Sequence, residues 1–294
     1  MDGTGAQTPW QRLGSKFTLG LRPRTEADWL PFDDAFDDAS DNGRRRRHQL
    51  AEKARLFDHR HGDVFAHDPT SLAACVEVRD MVAGHLGRYH PGGAMPACPD
   101  TMHPLEQAAR AVPEDLLVLA PRERDRDAEI LDWVLVAAAL AFPAHWVLAE
   151  KMGRPLAGIH EPVPHYGERL EQPMDRFFTM MKVGPISHRW NWSVVTTDRL
   201  FTPHRMRRAP LAPDAGLDEI FLRMESQTLR KLPLTGAILF TIRTYVLPLS
   251  RWADQDGAIE SLVDMLAQMT PQMRAYKGVE MYEDALRATM KSDG

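Results

Sequence analysis

A two-residue alternation over residues 237–247 restricts the fold more than any other pattern in this sequence. Alternate positions form two sets, one of Ile238, Phe240, Ile242 and Thr244, and the other of Leu239, Thr241, Arg243 and Tyr245. Because successive side chains of a β-strand point to opposite sides, the pattern predicts a strand with one set on each face. A similar content of β-branched and aromatic residues predicts strands over 188–196 and 220–229.

Apolar runs at 115–120 and 130–142 flank the charged segment RERDRDAE and predict a β-hairpin. Helical spacing of apolar residues predicts two helices between Gln49 and Leu86 and further helices near 103–111, 144–152, 175–182, 258–269 and 278–290. Because the helices mainly precede and follow the strands, we predict an α+β fold. Its antiparallel sheet should have about five strands with flanking N- and C-terminal helices. Residues 1–47 are predicted to be an arm packed on one domain formed by 48–294.

The composition excludes several classes of protein. The chain has 294 residues, a formal net charge of −5 and two cysteines, which argues against a nucleic-acid partner. No apolar run is long enough for a membrane span, and no secretory signal is evident, so we expect a cytoplasmic protein. The P-loop, Rossmann, α/β-hydrolase and CxxC motifs are also missing from the sequence.

Histidine is the main remaining chemical signal, and His160 is the most distinctive of twelve histidines. It lies in the segment GIHEPVP, whose two prolines predict a rigid extended turn over 158–164. A fixed imidazole among apolar residues suits an axial haem ligand, and it equally suits a core histidine bonded to a backbone carbonyl. The spacing from His160 to His165 departs from the HExxH motif of zinc proteases.

A second possible metal site begins with His61-x-Asp63 in the polar segment FDHRHGD. This pair opens the facial triad of non-haem iron enzymes, for which His188 or His204 would supply the third ligand. A solvated turn explains the same residues.

Several motifs occur in a characteristic order along the chain. They are PEDL (113–116), FP (142–143), Trp146, HEPVP (160–164), FF (177–178), RWNW (189–192), ESQTLRKLP (225–233) and GAILFTIRTY (236–245). Pro23 and Asp28-Trp29 extend the set toward the N-terminus. Together these motifs resemble the α subunit of haem-dependent oxidative N-demethylases over most of the chain.

This resemblance implies a PAS-like antiparallel sheet with helices that enclose haem b. It also implies a monooxygenase reaction with O₂, the oxidative N-demethylation of a small secondary amine such as dimethylamine to formaldehyde and a primary amine. A separate flavin and iron–sulfur reductase would supply electrons, since two cysteines cannot hold an iron–sulfur cluster. A folate-dependent partner would accept the formaldehyde. His165 departs from the family pattern, which leaves larger methylated amines open as substrates.

The resemblance also implies a set of haem contacts. His160 is the expected proximal ligand of the haem iron, because it is the histidine inside the matching motif. His165 and His188 are the alternative ligands. Trp192 is expected to line the cofactor.

We also expect charged and polar residues of the matching strands to bind the cofactor or the substrate. Arg189 and Arg243 are expected to contact the haem propionates, because a cation in an apolar strand needs an anionic partner. Alternatively, they form an internal ion pair with Glu225, which is itself a candidate for holding a cationic amine. Tyr245 is a candidate hydrogen-bond donor to bound O₂. A PAS-like haem sensor without turnover, and a non-haem iron enzyme, remain as alternative functions.

Overall fold

This computed structural model describes residues 8–13, 20–32, 43–90, 93–122, 132–160, 171–205 and 209–292. The strands are β1 (Arg22–Arg24), β2 (Phe65–His67), β3 (Asp115–Arg122), β4 (Asp132–Ala139), β5 (Ile186–Val195), β6 (Phe221–Lys231) and β7 (Ile238–Pro248). The helices before β3 are α1 (Pro9–Leu13), α2 (Arg44–His59), α3 (His61–Val64), α4 (Leu72–Tyr89) and α5 (Pro104–Ala111). The later helices are α6 (Leu148–Lys151), α7 (Leu156–His160), α8 (Glu171–Met180), α9 (Ala258–Ala267), α10 (Pro271–Lys277) and α11 (Glu283–Ser292). Within these ranges no helix is long and apolar enough to cross a bilayer.

The strands form one antiparallel sheet in the order β1-β5-β6-β7-β3-β4-β2. The α+β class is confirmed, and the predicted strands correspond to β3 through β7. The predicted number of strands was too low, since the described residues form seven. The two additional strands, β1 and β2, lie at the edges and have three residues each. A strand of that length is too short to show a two-residue alternation, and β1 lies within the predicted N-terminal arm.

Two local predictions need correction. The extended turn predicted from residue 158 is wrong for residues 158–160, which complete the helix α7. This helix follows Pro155, where the missing N–H of proline is tolerated, and the N–H of Ile159 donates to the carbonyl of Pro155. The remainder of the predicted turn lies outside the described residues. The helix predicted near 144–152 is shorter than expected, since α6 covers only Leu148–Lys151.

The register of β5, β6 and β7 defines two faces of the sheet, because residues paired directly opposite each other share a face. The face that we call the core face carries Trp192, Met224 and Tyr245. Helices α9 and α11 pack on this part of it, through residues that include Leu262 and Leu286. Helices α2, α4 and α5 cover a second part of the core face next to β3.

The opposite face, which we call the cleft face, is covered less completely. Helix α7 packs on it through Ile159, and α8 packs on it through Phe178. Beyond these helices the central strands present half-buried or exposed side chains on this face: Arg189, Asn191, Glu225, Gln227, Phe240 and Ile242. The cleft face is therefore the open side of the sheet in the part of the chain that the structure describes.

Candidate active-site cleft

The cleft face has an apolar floor in the middle of the sheet. Phe240 and Ile242 of β7 are half-buried there, in contact with a cluster that includes Leu117 of β3. Ile159 of α7 belongs to the same cluster and is 7% exposed. Because Ile159 directly precedes His160, the helix that ends at this histidine is anchored on the floor of the cleft.

Helix α8 forms one wall of the cleft. Its Phe177 and Phe178 belong to the apolar cluster that also holds Phe240 and Trp133. The ring centroids of Phe178 and Trp133 are 6.0 Å apart in an edge arrangement, which is a favourable aromatic geometry. The wall and the floor thus meet at Phe240.

Glu225 provides a carboxylate at the polar end of the cleft, where its side chain is 14% exposed. Its Oε2 accepts hydrogen bonds from Nε2 of Gln227 at 2.9 Å and from Nδ2 of Asn191 at 3.3 Å. Its Oε1 lies 3.5 Å from Nε of Arg223. Within the described ranges, Oε1 has no partner besides Arg223, so it can accept a further hydrogen bond from a ligand.

Arg223 supports Glu225 from a fully buried position. Its guanidinium donates to the carbonyl oxygen of Phe142 at 2.5 Å and to that of Leu200 at 3.2 Å. Burial lowers the pKa of Arg223, and the negative charge of Glu225 opposes this effect. Because the guanidinium contacts two loops as well as Glu225, it holds the polar end of the cleft against the sheet.

Lys277 places a second cation close to Glu225. It ends α10, and its Nζ donates to the carbonyl oxygen of Trp192 at 2.9 Å. Burial lowers the pKa of Lys277 to about 8, and the charge of Glu225 opposes the shift. The C-terminal helices therefore contribute to the electrostatics of the cleft.

His145 lies close enough to Arg223 for the two charges to interact. It is a non-glycine residue with a φ of 56°, a left-handed conformation that costs free energy, and its backbone N–H donates to Thr202 at 2.7 Å. Burial lowers the pKa of His145, and the charge of Arg205 lowers it further. Both effects favour the neutral form of this imidazole.

The structure brings together only some of the residues singled out in the sequence. Arg189 and Glu225 share the cleft face, where Arg189 is paired with Gln227 in the register of β5 and β6. Trp192, Arg243 and Tyr245 lie on the core face instead. Arg243 is 2% exposed, and its guanidinium carbon lies 5.6 Å from the ring centroid of Tyr245. A planar cofactor on the cleft face can therefore contact Arg189 and Glu225, and one on the core face can contact Trp192, Arg243 and Tyr245. No single cofactor contacts both groups.

The histidine candidates are equally dispersed. The backbone of His160 ends α7, but its side chain and all of His165 lie outside the described part of the structure. His188 lies on the core face, where its Nε2 is 2.9 Å from the hydroxyl of Ser226. Burial lowers the pKa of His188 to about 4, with a smaller contribution from Arg24.

The His61 and Asp63 pair does not form a metal site with its neighbours. Nε2 of His61 contacts Oε2 of Glu106 at 2.9 Å, whereas Asp63 pairs with Arg60 at 2.7 Å. Among the described residues, no three His, Cys, Asp or Glu side chains are grouped to hold a metal ion.

Sequence reasoning missed several residues of the cleft. Asn191 and Gln227 lie inside the motifs. Each is two residues after Arg189 or Glu225 in its strand, so the sequence could have placed it on the same face of the sheet. Lys277 carries no comparable signal, because its proximity to Glu225 depends on the packing of the C-terminal helices.

The comparison with known proteins agrees with the sequence motifs. A family model described as "Haem-dependent oxidative N-demethylase, alpha subunit-like" matches residues 20–287 of the chain. The description implies haem dependence and an oxidoreductase activity at the level of the family, and it implies a partner subunit. Since the match covers most of the sequence, this chain belongs to the haem-dependent oxidative N-demethylase, alpha subunit-like family.

Proposed function

We propose that this chain is the haem-binding oxygenase subunit of a cytoplasmic enzyme that removes a methyl group from a small secondary amine of the dimethylamine type. The observation that carries the proposal is Oε1 of Glu225, which can accept a further hydrogen bond at the edge of an apolar floor. In the proposed reaction, O₂ and the amine yield formaldehyde and a primary amine. Electrons come from a separate flavin and iron–sulfur reductase, and a folate-dependent protein accepts the formaldehyde.

The residues of the cleft fit haem b in its general requirements. A haem site needs a flat apolar slot, cations for two propionates and an axial ligand. Phe240 and Ile242 supply apolar surface that is only half-buried, and Arg189 supplies a cation on the same face. Helix α7 brings His160 to this side of the sheet, which supports it as the proximal ligand. In this proposal residues 48–294 form a PAS-like haem domain with residues 1–47 packed on it as an arm.

When bound, haem supplies the oxidation of the N-methyl C–H bond, which protein side chains cannot perform. Glu225 binds the ammonium form of the amine by accepting an N–H hydrogen bond at Oε1. Gln227 and Asn191 hold the other oxygen and so fix the direction in which Oε1 points. The floor of the cleft excludes water, which strengthens this charged hydrogen bond.

The residues on the core face have a different role in this proposal. Trp192, Arg243 and Tyr245 support the sheet behind the cleft and do not contact the amine. Tyr245 and Arg243 thereby position β7, and with it Phe240 and Ile242.

The first test is an ultraviolet–visible spectrum of the protein expressed with a haem precursor, oxidised and then reduced, before and after addition of dimethylamine. We expect a stoichiometric Soret band and formaldehyde release in the presence of O₂ and a reductant. His160→Ala should remove the Soret band of the wild type. A protein without haem after reconstitution contradicts the proposal. A reduced haem protein that consumes no O₂ with amine favours a sensor.

The second test addresses the amine site. Glu225→Gln should weaken dimethylamine binding by about 10–100-fold, because a charged hydrogen bond is worth ~1.5–3 kcal/mol, and haem content should not change. Glu280→Gln makes the same chemical change at an exposed position and serves as the control. Equal affinities in the two variants contradict the role of Glu225 without contradicting haem binding.

A further inference from the structure

Exposed apolar side chains gather at the end of the sheet where β6 turns into β7. Leu234 in this turn is 85% exposed, Met180 at the end of α8 is 71% exposed, and Val183 is 52% exposed. Val183 pairs with Lys231, the last residue of β6, in an isolated bridge, so the two segments lie side by side. We call Met180, Val183 and Leu234 the tip surface. It contains three of the five large apolar residues that are exposed among the described residues.

The turn that presents Leu234 is held in place by a buried carboxylate. Glu77 of α4 is 5% exposed and accepts hydrogen bonds from the backbone N–H of Leu234 at 2.7 Å and of Thr235 at 3.0 Å. It also accepts one from the hydroxyl of Thr235 at 2.7 Å. Because these bonds already order the turn, a partner that contacts Leu234 loses little free energy in ordering it.

Basic side chains surround the tip surface. Lys182 is exposed between Met180 and Val183, and Lys231 is half-buried beside Val183. Arg176 is exposed on α8, four residues before Met180 and therefore on the same side of the helix. Of the neighbouring carboxylates, Glu77 and Asp175 are buried, at 5% and 7% exposure, and the more exposed Glu26 and Asp80 are paired with Arg230 and Arg79. The described part of this surface therefore favours an acidic partner.

The tip surface is connected to the cleft through α8. This helix ends at Met180 on the surface, whereas its Phe177 contacts the cluster that contains Phe240 of the cleft floor. The chain has only Cys75 and Cys98, both free thiols, so it cannot hold a four-cysteine iron–sulfur cluster. In the proposed function, electrons must therefore enter from another protein.

We propose that the tip surface docks an acidic iron–sulfur protein that delivers electrons to the haem. This inference rests on the proposed function. In each transfer the reduced cluster loses one electron and the haem iron gains it, with no bond made or broken. A small, rigid apolar patch with a basic border suits the small, transient interfaces of electron-transfer partners.

The first experiment measures binding of the full chain to an acidic plant-type [2Fe–2S] ferredoxin by calorimetry at low ionic strength. Leu234→Asp combined with Lys182→Glu should weaken binding at least tenfold. Met290→Asp combined with Arg199→Glu changes one exposed apolar and one exposed basic residue elsewhere, and should leave binding within twofold. Binding by the wild type should weaken at 0.5 M salt, because exposed charges are then screened.

The second experiment follows haem reduction by the reduced ferredoxin in a stopped-flow spectrometer. The tip variant should be reduced at least tenfold more slowly than the control variant, whereas dithionite should reduce both at the same rate. If the protein binds no haem, the proposed function is refuted. The calorimetric experiment with ferredoxin then tests by itself whether the tip surface is a docking site.

Three results overturn the docking proposal. The first is a wild-type chain that does not bind the ferredoxin. The second is equal binding by the tip variant and the control variant. The third is a wild-type dimer in sedimentation that the tip variant converts to a monomer, since the surface would then join two copies of this chain.

Discussion

Asp115 is a fully buried carboxylate at the start of β3, and its titration should contribute to the pH dependence of stability. It accepts hydrogen bonds from the backbone N–H groups of Ala141 at 2.7 Å and Phe142 at 3.0 Å. Burial raises the pKa of Asp115 to about 6, although the charge of Lys53 and the two backbone donors oppose the shift. In the native state Asp115 thus keeps its proton up to about pH 6, whereas in the unfolded chain it loses this proton near pH 3.8.

The sign of the effect follows from this difference in proton binding. Between about pH 4 and 6 the native state binds more protons than the unfolded chain, so the free energy of unfolding decreases as the pH rises. The difference between 3.8 and about 6, at about 1.4 kcal/mol per pH unit, corresponds to a loss of ~3 kcal/mol. The stabilisation is fully present below pH 4 and is lost above pH 6. Asp115→Asn cannot titrate and should lack this component.

The assay is urea unfolding followed by tryptophan fluorescence at pH 4, 5, 6 and 7. The stability of the wild type minus that of Asp115→Asn should fall by ~3 kcal/mol across this range. Asp198→Asn, at an exposed position, is the control and should show no such trend. If the difference between wild type and Asp115→Asn is independent of pH, the reasoning about buried Asp115 is refuted.

Three more predictions concern other parts of the molecule. Glu77→Gln should lower the free energy of unfolding by about 2–4 kcal/mol in urea, because it removes a buried charged acceptor from the turn at Leu234. Burial lowers the pKa of Lys277 to about 8, as it does that of Lys53, so stability should rise between pH 8 and 10.5 because the unfolded chain retains these protons longer. Lys277→Met should reduce that rise in thermal unfolding. His61→Ala with Asp63→Ala should leave iron content unchanged by elemental analysis, and a loss of iron would favour the non-haem alternative.

The central strands could be predicted from the sequence because their alternation is a local property. Residues 237–247 show it most clearly, and β7 covers Ile238–Pro248. The hairpin of β3 and β4 was also predictable, from two apolar runs around a charged segment. The edge strands β1 and β2 were not, because three residues contain too little pattern and their place depends on pairing with distant strands.

The candidate site was predicted less completely than the fold. Glu225 and Arg189 were identified as charged residues in apolar strands, and the structure places both on the cleft face. Their supporting residues Gln227 and Lys277 were missed. The first is a neutral side chain with no obvious chemistry, and the second comes from a helix distant in the sequence.

The sequence by itself determined which segments become the long strands, and it determined that Arg243 and Tyr245 share one face of β7. Both depend on local spacing along the chain. Only the tertiary structure decided that this face packs against helices, while Phe240 and Ile242 line the open side with Glu225. That outcome depends on the register between strands and on which helices cover each face. These are long-range contacts, and the two-residue period of a strand does not specify them.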